Sequence, residues 1–250
     1  MSEDRILLIT GGSRGIGAAT ARAAGREGYR VIVNYRADEK AAQAVVADIA
    51  RAGGKASAIQ ADAGEEKDIR RLFDAAAGQF GRITHLVNNA GIVGRAGPLA
   101  DADPAMLKHV IDLNVTGAIL VAREAVRQIS TARGGRGGAI VNVSSIAASL
   151  GAAGEYTWYA ASKGAIDSLT LGLAREVARE GIRVNAVSPG MIETDIHAAG
   201  GQPDRIERLG HLMPVGRAGR ADEVAAAILW LLSEQASYVT GANIRISGGR

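Results

Sequence analysis

Short apolar runs recur along the chain, separated by longer stretches that carry apolar residues at helical spacing. Each run is five to seven residues long and is rich in Val, Ile, Leu and Ala. Nearly continuous apolar strands are typical of parallel sheets, because such sheets are covered on both faces. The predicted strands are Arg5–Thr10, Tyr29–Tyr35, Ala56–Ala61, Ile83–Asn88, Ala139–Ser144, Ile182–Val187 and Asn243–Ser247.

The stretches between these strands predict amphipathic helices. Strands that alternate with helices along 250 residues predict a single α/β domain over residues 1–250. Its doubly wound parallel sheet has seven strands, with helices on both faces. The predicted helices are Ile16–Glu27, Glu39–Ala52, Glu66–Phe80, Pro104–Ala132, Ala160–Arg179 and Asp222–Leu232.

The alternation breaks down at Glu193–Gly219, between the sixth strand and the last helix. This segment is long for a simple connection between a strand and a helix. Long irregular insertions in compact domains are often functional, so we expect these residues to contribute to a site.

Composition excludes several classes of protein. The chain has no cysteine, which excludes disulfides, thiolate metal sites and cysteine nucleophiles. The four histidines form no metal-binding motif, so we expect no metal. The apolar runs are no longer than strands, and residues 1–5 begin acidic without the apolar region of a signal peptide. We therefore expect a cytoplasmic protein without a membrane-spanning segment.

The charge balance gives little indication of an anionic partner. The formal net charge is +3, with 29 Lys and Arg against 26 Asp and Glu. One stretch, Arg133–Gly138, is similar to a small RNA-binding box but lacks repeats and aromatic neighbours. We interpret it as a surface loop and expect no nucleic-acid partner.

A glycine-rich turn joins the first strand to the first helix, with the sequence Thr10-Gly11-Gly12-Ser13-Arg14-Gly15-Ile16-Gly17. Glycines allow the tight turn and let the backbone approach a ligand closely. The helix N-terminus offers free N–H groups to a pyrophosphate. The strand–turn–helix position therefore predicts a dinucleotide site rather than a plain turn. The predicted contacts here are Gly11, Ser13, Arg14, Gly15, Ile16 and Gly17.

This turn and three further motifs resemble the classical short-chain dehydrogenase/reductase family. The other motifs are Asn88-Asn89-Ala90-Gly91, Tyr159-x-x-x-Lys163 and Pro189-Gly190, in the order and spacing usual for the family. The resemblance covers essentially the whole chain. It implies a Rossmann-type fold and an oxidoreductase that transfers a hydride between a nicotinamide and a carbonyl or secondary alcohol.

The end of the second predicted strand bears on the choice of cofactor. NAD-binding proteins usually place a carboxylate there to bond the ribose 2′-hydroxyl, whereas this strand ends in Asn34-Tyr35-Arg36. A guanidinium binds phosphate in a bidentate manner, so Arg36 and Arg14 favour a 2′-phosphate. We predict NADP(H) as the preferred cofactor and NAD(H) as a second one. The alternative is that both arginines are ordinary surface residues.

The resemblance implies further cofactor contacts after the later strands. Asp62 and Ala63 would meet the adenine, and a helix-capping role for Asp62 is the alternative. The remaining residues would lie along the ribose and nicotinamide. These implied contacts are Asn89, Ala90, Gly91, Tyr159, Lys163, Pro189, Gly190, Ile192 and Thr194.

Tyr159 and Lys163 are the predicted proton-transfer pair. They are four residues apart, so a helix places both on one face. A free tyrosine has a pKa near 10, and a neighbouring ammonium favours the phenolate. Tyr159 can then exchange a proton with an alcohol or a carbonyl oxygen. An incidental pair on an amphipathic helix is the alternative.

The resemblance implies two more catalytic residues, Asn114 and Ser145. Ser145 would hydrogen-bond the substrate oxygen. It precedes Tyr159 by one residue more than is usual in the family, so Ser144 is the runner-up. Asn114 would bind a water beside Lys163 and complete a proton relay to solvent.

The substrate itself is not selected by any motif. We expect a small carbonyl or alcohol bound between Ile92–Gly97, Ala147–Trp158 and Ile192–Met213. The alternatives are a 3-oxoacyl-carrier-protein reductase, a glucose 1-dehydrogenase and, more remotely, a non-catalytic dinucleotide-binding sensor. The family commonly forms tetramers, and two long helices rich in small residues agree with a homotetramer.

Overall fold

A computed structural model describes residues 5–250 and confirms the α/β class, with a single sheet of seven parallel strands. The acidic start at residues 1–4 lies outside the described residues. The strands are β1 (Ile6–Ile9), β2 (Arg30–Tyr35), β3 (Lys55–Gln60), β4 (His85–Asn88), β5 (Gly138–Val143), β6 (Ile182–Pro189) and β7 (Asn243–Ile246). Their order across the sheet is β3-β2-β1-β4-β5-β6-β7, which is the doubly wound Rossmann arrangement.

The helices cover both faces of this sheet. They are α1 (Gly15–Arg26), α2 (Glu39–Arg51), α3 (Glu66–Phe80), α4 (Pro104–Ile111), α5 (Ala118–Ile129), α6 (Ala147–Leu150), α7 (Thr157–Val177), α8 (Ile196–Ala199), α9 (Arg205–Leu209) and α10 (Ala221–Leu232). Helices α1, α2 and α10 pack on one face, and α3, α5 and α7 pack on the other.

Alternate residues of each strand contribute to these two apolar layers. In β1, Leu7 and Ile9 face the layer under α1, whereas Ile6 and Leu8 face the layer under α3. All four side chains are buried, and burial of each such side chain contributes about 1.5–3 kcal/mol. Burial on both faces is the reason that the predicted strands lack polar alternation.

The predicted single helix Pro104–Ala132 is wrong in its middle and at its end. A π-helical segment, Asp112–Gly117, separates α4 from α5, and α5 ends at Ile129. A Cβ at Gly117 would lie only 2.2 Å from the carbonyl oxygen of Ala63. The chain therefore passes the end of β3 in direct backbone contact, and only glycine permits that approach.

The combined helical segment Pro104–Ile129 has 26 residues and includes an 18-residue window with a mean hydropathy of 1.4, so it is long and apolar enough to cross a membrane. The sequence pattern did not predict such a segment. Val121, Ala125 and Ile129 are buried against the sheet, so one face of the segment is occupied by the protein core, while Ile119 on another face is exposed. We interpret it as a core helix.

Residues 193–219, which we call the substrate loop, form only short helices, as their irregular pattern predicts. The two ends of the loop are joined to each other. Glu193 N–H donates to the Gly219 carbonyl, and Gly219 N–H donates to the Met191 carbonyl, both at 2.9 Å. This backbone clamp holds the start of the loop, just after β6, next to its end, just before α10.

Candidate active site

The glycine-rich turn lies at the carboxyl edge of the sheet, between β1 and α1. Gly11 and Gly15 have φ angles of 62° and 52°, values that favour glycine. A Cβ at Gly17 would lie 2.4 Å from the Gly11 carbonyl oxygen. No side chain caps the N-terminus of α1 at Arg14, so its first N–H groups are open to an anionic ligand.

Buried polar side chains fix this turn against the neighbouring strands. The Thr10 hydroxyl accepts hydrogen bonds from the N–H groups of Asn89 and Ala90, at 2.9 and 3.0 Å. The Asn89 side-chain amide donates to the carbonyls of Thr10 and Gly11, at 2.9 and 3.1 Å. These hydrogen bonds hold the residues after β1 and those after β4, both predicted to contact the cofactor, next to each other.

Thr10 and Asn34 are site residues that sequence reasoning missed. Asn34 Oδ1 accepts from Gly11 N–H at 3.3 Å, and its amide donates to the Ala61 carbonyl at 3.0 Å. Both residues are buried. The sequence did contain a signal for both residues, because each is a polar residue within or at the end of an otherwise apolar strand. A polar side chain in such a position needs a hydrogen-bond partner when it is buried.

The end of β2 presents positive charge without a competing carboxylate. Arg36 and Arg14 are both exposed, and neither forms an ion pair with a residue in the described part of the chain. Asp38 is turned toward α2, where it accepts from Ala41 N–H at 2.9 Å. The residues at this edge therefore fit a phosphate on the adenosine ribose.

The loop after β3 is ordered by two aspartates. Asp62 Oδ1 accepts from Gly64 N–H, and Asp62 N–H donates to Asp68 Oδ2, both at 2.9 Å. This N–H lowers the pKa of Asp68. No side chain caps α3 at its N-terminal residue Glu65, so the capping alternative for Asp62 does not hold.

Tyr159 and Ser145 come together at the end of β5. The Ser145 hydroxyl accepts from Ala147 N–H at 3.1 Å and lies near enough to the Tyr159 phenol to lower its pKa. The Ser144 hydroxyl points elsewhere, since it is buried and donates to the Lys163 carbonyl at 3.2 Å. The geometry therefore favours Ser145 over Ser144 as the partner of Tyr159.

Lys163 lies on the same helix face as Tyr159, as predicted, with Nζ 5.7 Å from the centre of the phenol ring. Its ammonium is buried and donates to the Val143 carbonyl at 2.7 Å. Burial lowers the pKa of Lys163 to about 8, which nearby Asp167 partly opposes.

The pKa of Tyr159 differs from the sequence expectation. Burial raises it to about 12, against the opposing effect of the Ser145 hydrogen bond. Desolvation of the phenolate is the largest cause of this shift, and the Lys163 ammonium is bonded to the Val143 backbone carbonyl rather than to the phenol. Without a cofactor, Tyr159 is thus a protonated phenol at neutral pH.

Asn114 lies in the π-helical segment and is buried. Its Oδ1 accepts from Ile92 N–H at 2.9 Å, and its Nδ2 donates to the Ile92 carbonyl at 2.8 Å and the Ser162 hydroxyl at 3.0 Å. A Cβ at Gly91 would lie 3.2 Å from Asn114 Oδ1 and 3.5 Å from Lys163 Nζ. Asn114 therefore joins the loop after β4 to α7, the helix that carries Tyr159 and Lys163.

The predicted nicotinamide residues follow β6. Gly190 N–H donates to the Ile246 carbonyl at 2.9 Å, which places Pro189-Gly190 beside β7. The Thr194 methyl group lies 3.2 Å from the position of a Cβ on Gly15. The start of the substrate loop therefore faces the glycine-rich turn across the cleft.

His197 is bonded within this region rather than lying on the surface. Its Nε2 donates to the Ile192 carbonyl at 3.0 Å, and burial lowers its pKa. A neutral imidazole that donates through Nε2 fits both observations.

The three segments predicted to surround the substrate contact one another. Ala96 N–H donates to the Gly200 carbonyl at 3.1 Å, and Gly97 N–H donates to the Glu155 carbonyl at 3.0 Å. Trp158 is buried, and its indole N–H donates to the Val93 carbonyl at 2.8 Å. Together with Tyr159 these segments form one closed wall at the carboxyl edge of the sheet.

Comparison with known proteins finds oxidoreductases and reductases by both sequence and structure. Residues 11–250 match a family model described as enoyl-(acyl carrier protein) reductase. The chain is 51% identical over 245 residues to an uncharacterized oxidoreductase, YgfF, of Escherichia coli K12, with 98% of this chain and 99% of the relative covered.

Two solved structures share the fold and contain a nicotinamide cofactor. The 3-ketoacyl-(acyl-carrier-protein) reductase from Brucella melitensis, complexed with NADH, has a TM-score of 0.91 and 32% identity, covering 100% of this chain and 99% of that one. A short-chain dehydrogenase from Burkholderia cenocepacia J2315, complexed with NADP, has a TM-score of 0.88 and 36% identity, covering 98% and 97%.

The chain belongs to the short-chain dehydrogenase/reductase family. It is an oxidoreductase that acts on CH–OH groups with NAD(P) as the acceptor.

Proposed function

We propose that the protein is an NADP(H)-dependent oxidoreductase for a carbonyl or secondary alcohol, with Tyr159 as its acid and base. The observation that carries this proposal is the cluster of Ser145, Tyr159 and Lys163 at the carboxyl edge of the sheet, opposite the glycine-rich turn. A non-catalytic sensor has no need for this set. A small-molecule substrate and a cytoplasmic location go with this proposal.

When bound, the nicotinamide supplies the hydride that reaches the carbonyl carbon during reduction. Tyr159 gives the matching proton to the carbonyl oxygen, which forms the alcohol, and it takes a proton from the alcohol in the reverse direction. Ser145 holds the same oxygen through its hydroxyl. Lys163 stabilises the phenolate that remains on Tyr159 and is itself held by Val143.

The adenosine end would be held by the residues of the glycine-rich turn and by the loops after β2, β3 and β4. The nicotinamide end would lie between Gly190 and Thr194. Ile192 would bond the carboxamide through its backbone, and His197 fixes the Ile192 carbonyl.

The substrate test is a panel of carbonyl compounds assayed by the loss of NADPH absorbance. A 3-oxoacyl thioester belongs in the panel, because a structural neighbour is a 3-ketoacyl-(acyl-carrier-protein) reductase. Glucose belongs in the reverse assay. Turnover of any compound in the panel supports the proposal. If the protein binds NADPH but converts none of the compounds, the non-catalytic sensor is favoured.

Arg36 is proposed to set the cofactor preference. We expect Arg36→Asp to weaken NADPH binding by about 10- to 100-fold and to raise the affinity for NADH relative to that for NADPH. The reason is that charge-assisted hydrogen bonds contribute about 1.5–3 kcal/mol each. Fluorescence titration with both cofactors measures the change, and Arg179→Asp, at an exposed arginine remote from the cleft, is the matched control. Equal NADPH binding by Arg36→Asp and the parent would reject the assignment.

We also propose a homotetramer built on the outer faces of α5 and α7. A groove of about 360 Å³ between these helices is lined by apolar side chains, including Ile119, Val126 and Leu169, and by four charged ones, Arg123, Arg127, Arg133 and Glu176. Ile119 is 44% exposed. Two residues of the predicted helix face, Ala160 and Ala174, instead pack inside the chain. Contact between copies would bury the groove.

Light scattering at micromolar concentration tests the assembly. A tetramer has a mass near four times 25.7 kDa, and Ile119→Glu is expected to reduce it because a carboxylate would be buried in the contact. A parent mass near 25.7 kDa would rule out the tetramer.

A further inference from the structure

The first turn of the substrate loop is closed by the side chain of His197. This residue lies in the short helix α8, and its Nε2 is 3.0 Å from the Ile192 carbonyl oxygen. A carbonyl oxygen can only accept a hydrogen bond, so Nε2 is the ring nitrogen that carries the proton. His197 belongs to none of the four motifs on which the family resemblance rests, and no role follows for it from them.

The Ile192 carbonyl depends on this donor. The backbone clamp to Gly219 uses the residues on either side of Ile192 and leaves the Ile192 carbonyl outside the clamp. Among residues 5–250, its only other donor is the Thr194 hydroxyl, at a long 3.4 Å. Ile192 is buried, and a buried carbonyl needs a hydrogen-bond partner. Loss of the His197 ring would therefore free this turn of the loop to move.

The same turn faces the dinucleotide site. The Thr194 methyl group lies 3.2 Å from the position of a Cβ on Gly15, the first residue of α1. In the sheet, β2 and β3 lie on one side of β1, and β6 lies on the other. The loops after β2 and β3 are those proposed to hold the adenosine, so the turn after β6 borders the opposite half of the dinucleotide. A small displacement of this turn would change the space left for that half.

His197 can hold Ile192 in place because α8 is itself fixed. The His197 carbonyl accepts from the N–H groups of Gly200 and Gln202, at 3.1 and 2.9 Å. The Gly200 carbonyl in turn accepts from Ala96 N–H at 3.1 Å. A Cβ at Gly200 would lie 2.7 Å from a methyl group of Val93, so α8 packs closely on the loop after β4. The imidazole thus connects an anchored helix to the start of the substrate loop.

We propose that His197 is a positioning residue that holds Ile192 and Thr194 against the nicotinamide half of the dinucleotide site. It acts through the Ile192 carbonyl and not by contact with the reacting atoms. The proposal rests on the function proposed above only for the placement of the nicotinamide end. Its consequence is that loss of the imidazole N–H weakens binding of the intact cofactor and leaves binding of the adenosine half unchanged.

The test compares NADPH with adenosine 2′,5′-bisphosphate, which lacks the nicotinamide and its ribose, by calorimetric titration without substrate. In His197→Leu we expect the Kd of NADPH to rise about tenfold and that of the bisphosphate to stay as in the parent. A tenfold change is about 1.4 kcal/mol, within the range for a single hydrogen bond. If the parent binds NADH more tightly than NADPH, the matching pair is NADH and ADP.

Two further variants at the same position separate the hydrogen bond from the volume of the ring. His197→Gln keeps an N–H donor at a similar reach, and its Kd for the cofactor is expected to stay within about twofold of the parent. His197→Asn is polar but shorter, so it should behave as His197→Leu does and replaces that variant if it fails to fold. Thermal unfolding of each variant shows whether the fold is kept.

His211→Leu is the matched control, because His211 is an exposed histidine in the same loop. It is expected to change the Kd of neither ligand. A loss confined to the intact cofactor and restored in His197→Gln supports the proposal. Because no substrate is present, absence of turnover counts only against the proposed reaction. The proposal is overturned if the folded Leu and Asn variants bind the cofactor as the parent does, if both ligands weaken equally, or if His197→Gln binds as weakly as His197→Leu.

Discussion

Tyr159→Phe is expected to abolish turnover while the protein still binds NADPH. The substitution removes only the hydroxyl that exchanges the proton, and general acid–base catalysis contributes about 10²- to 10⁴-fold to a rate. Single-turnover reduction of a responsive ketone measures the loss, and fluorescence titration measures cofactor binding. Retention of a tenth of the parent rate would count against Tyr159 as the acid and base.

Tyr238→Phe is the matched control, since Tyr238 is a fully exposed tyrosine far from the cleft. The pH dependence adds a second readout. Burial holds the pKa of Tyr159 at about 12 without a cofactor, so the phenol is protonated and ready for reduction at neutral pH. Oxidation needs the phenolate, so its rate in the parent should rise with pH. In Tyr159→Phe that rise should disappear.

The second large effect is expected from Gly17→Ala in the glycine-rich turn. The new Cβ would lie 2.4 Å from the Gly11 carbonyl oxygen and 2.7 Å from Asn89 Nδ2. The first contact is with backbone and cannot be relieved by a side-chain rotation, so the turn must open. We expect NADPH binding to weaken about 100-fold or more, by analogy with losses caused by small misplacements in reacting sites.

Gly164→Ala in α7 is the control for this change. It is also a helical glycine, but a Cβ there would meet no atom within 4 Å, so it should leave binding unchanged and favour the helix by up to about 1 kcal/mol. Titration with NADPH and thermal unfolding distinguish a lost site from a lost fold. Parent-like affinity in a folded Gly17→Ala would show that the turn does not hold the cofactor.

The sheet was predictable because its strands are buried on both faces and their apolar runs leave a clear signal. The π-helical segment Asp112–Gly117 was not, since its composition is compatible with an ordinary helix. Its shape follows from distant contacts: Asn114 bonds the Ile92 backbone, and Gly117 touches Ala63. Such contacts between segments far apart in the chain leave no local pattern.

In the candidate site, too, local sequence predicted some features, and contacts with distant segments determined others. Spacing placed Tyr159 and Lys163 on one helix face, and glycines marked the turn. The direction of the Tyr159 pKa shift depends on burial by other segments, which spacing does not report. The ion pair between Glu155 and Arg205 joins residues fifty positions apart, so no local pattern in the sequence reports it.

The backbone clamp between Ile192 and Gly219 has an evolutionary consequence. Because the two ends of the substrate loop are joined to each other, residues can be inserted or deleted between these ends without moving the strands. Each doubling of a flexible loop costs only about 0.6 kcal/mol in closure entropy. On the proposed function, selection can therefore change which substrate the protein accepts through the residues after Thr194, while Thr194 itself stays beside the glycine-rich turn. New specificities would arise in this lineage by changes within one stretch of sequence.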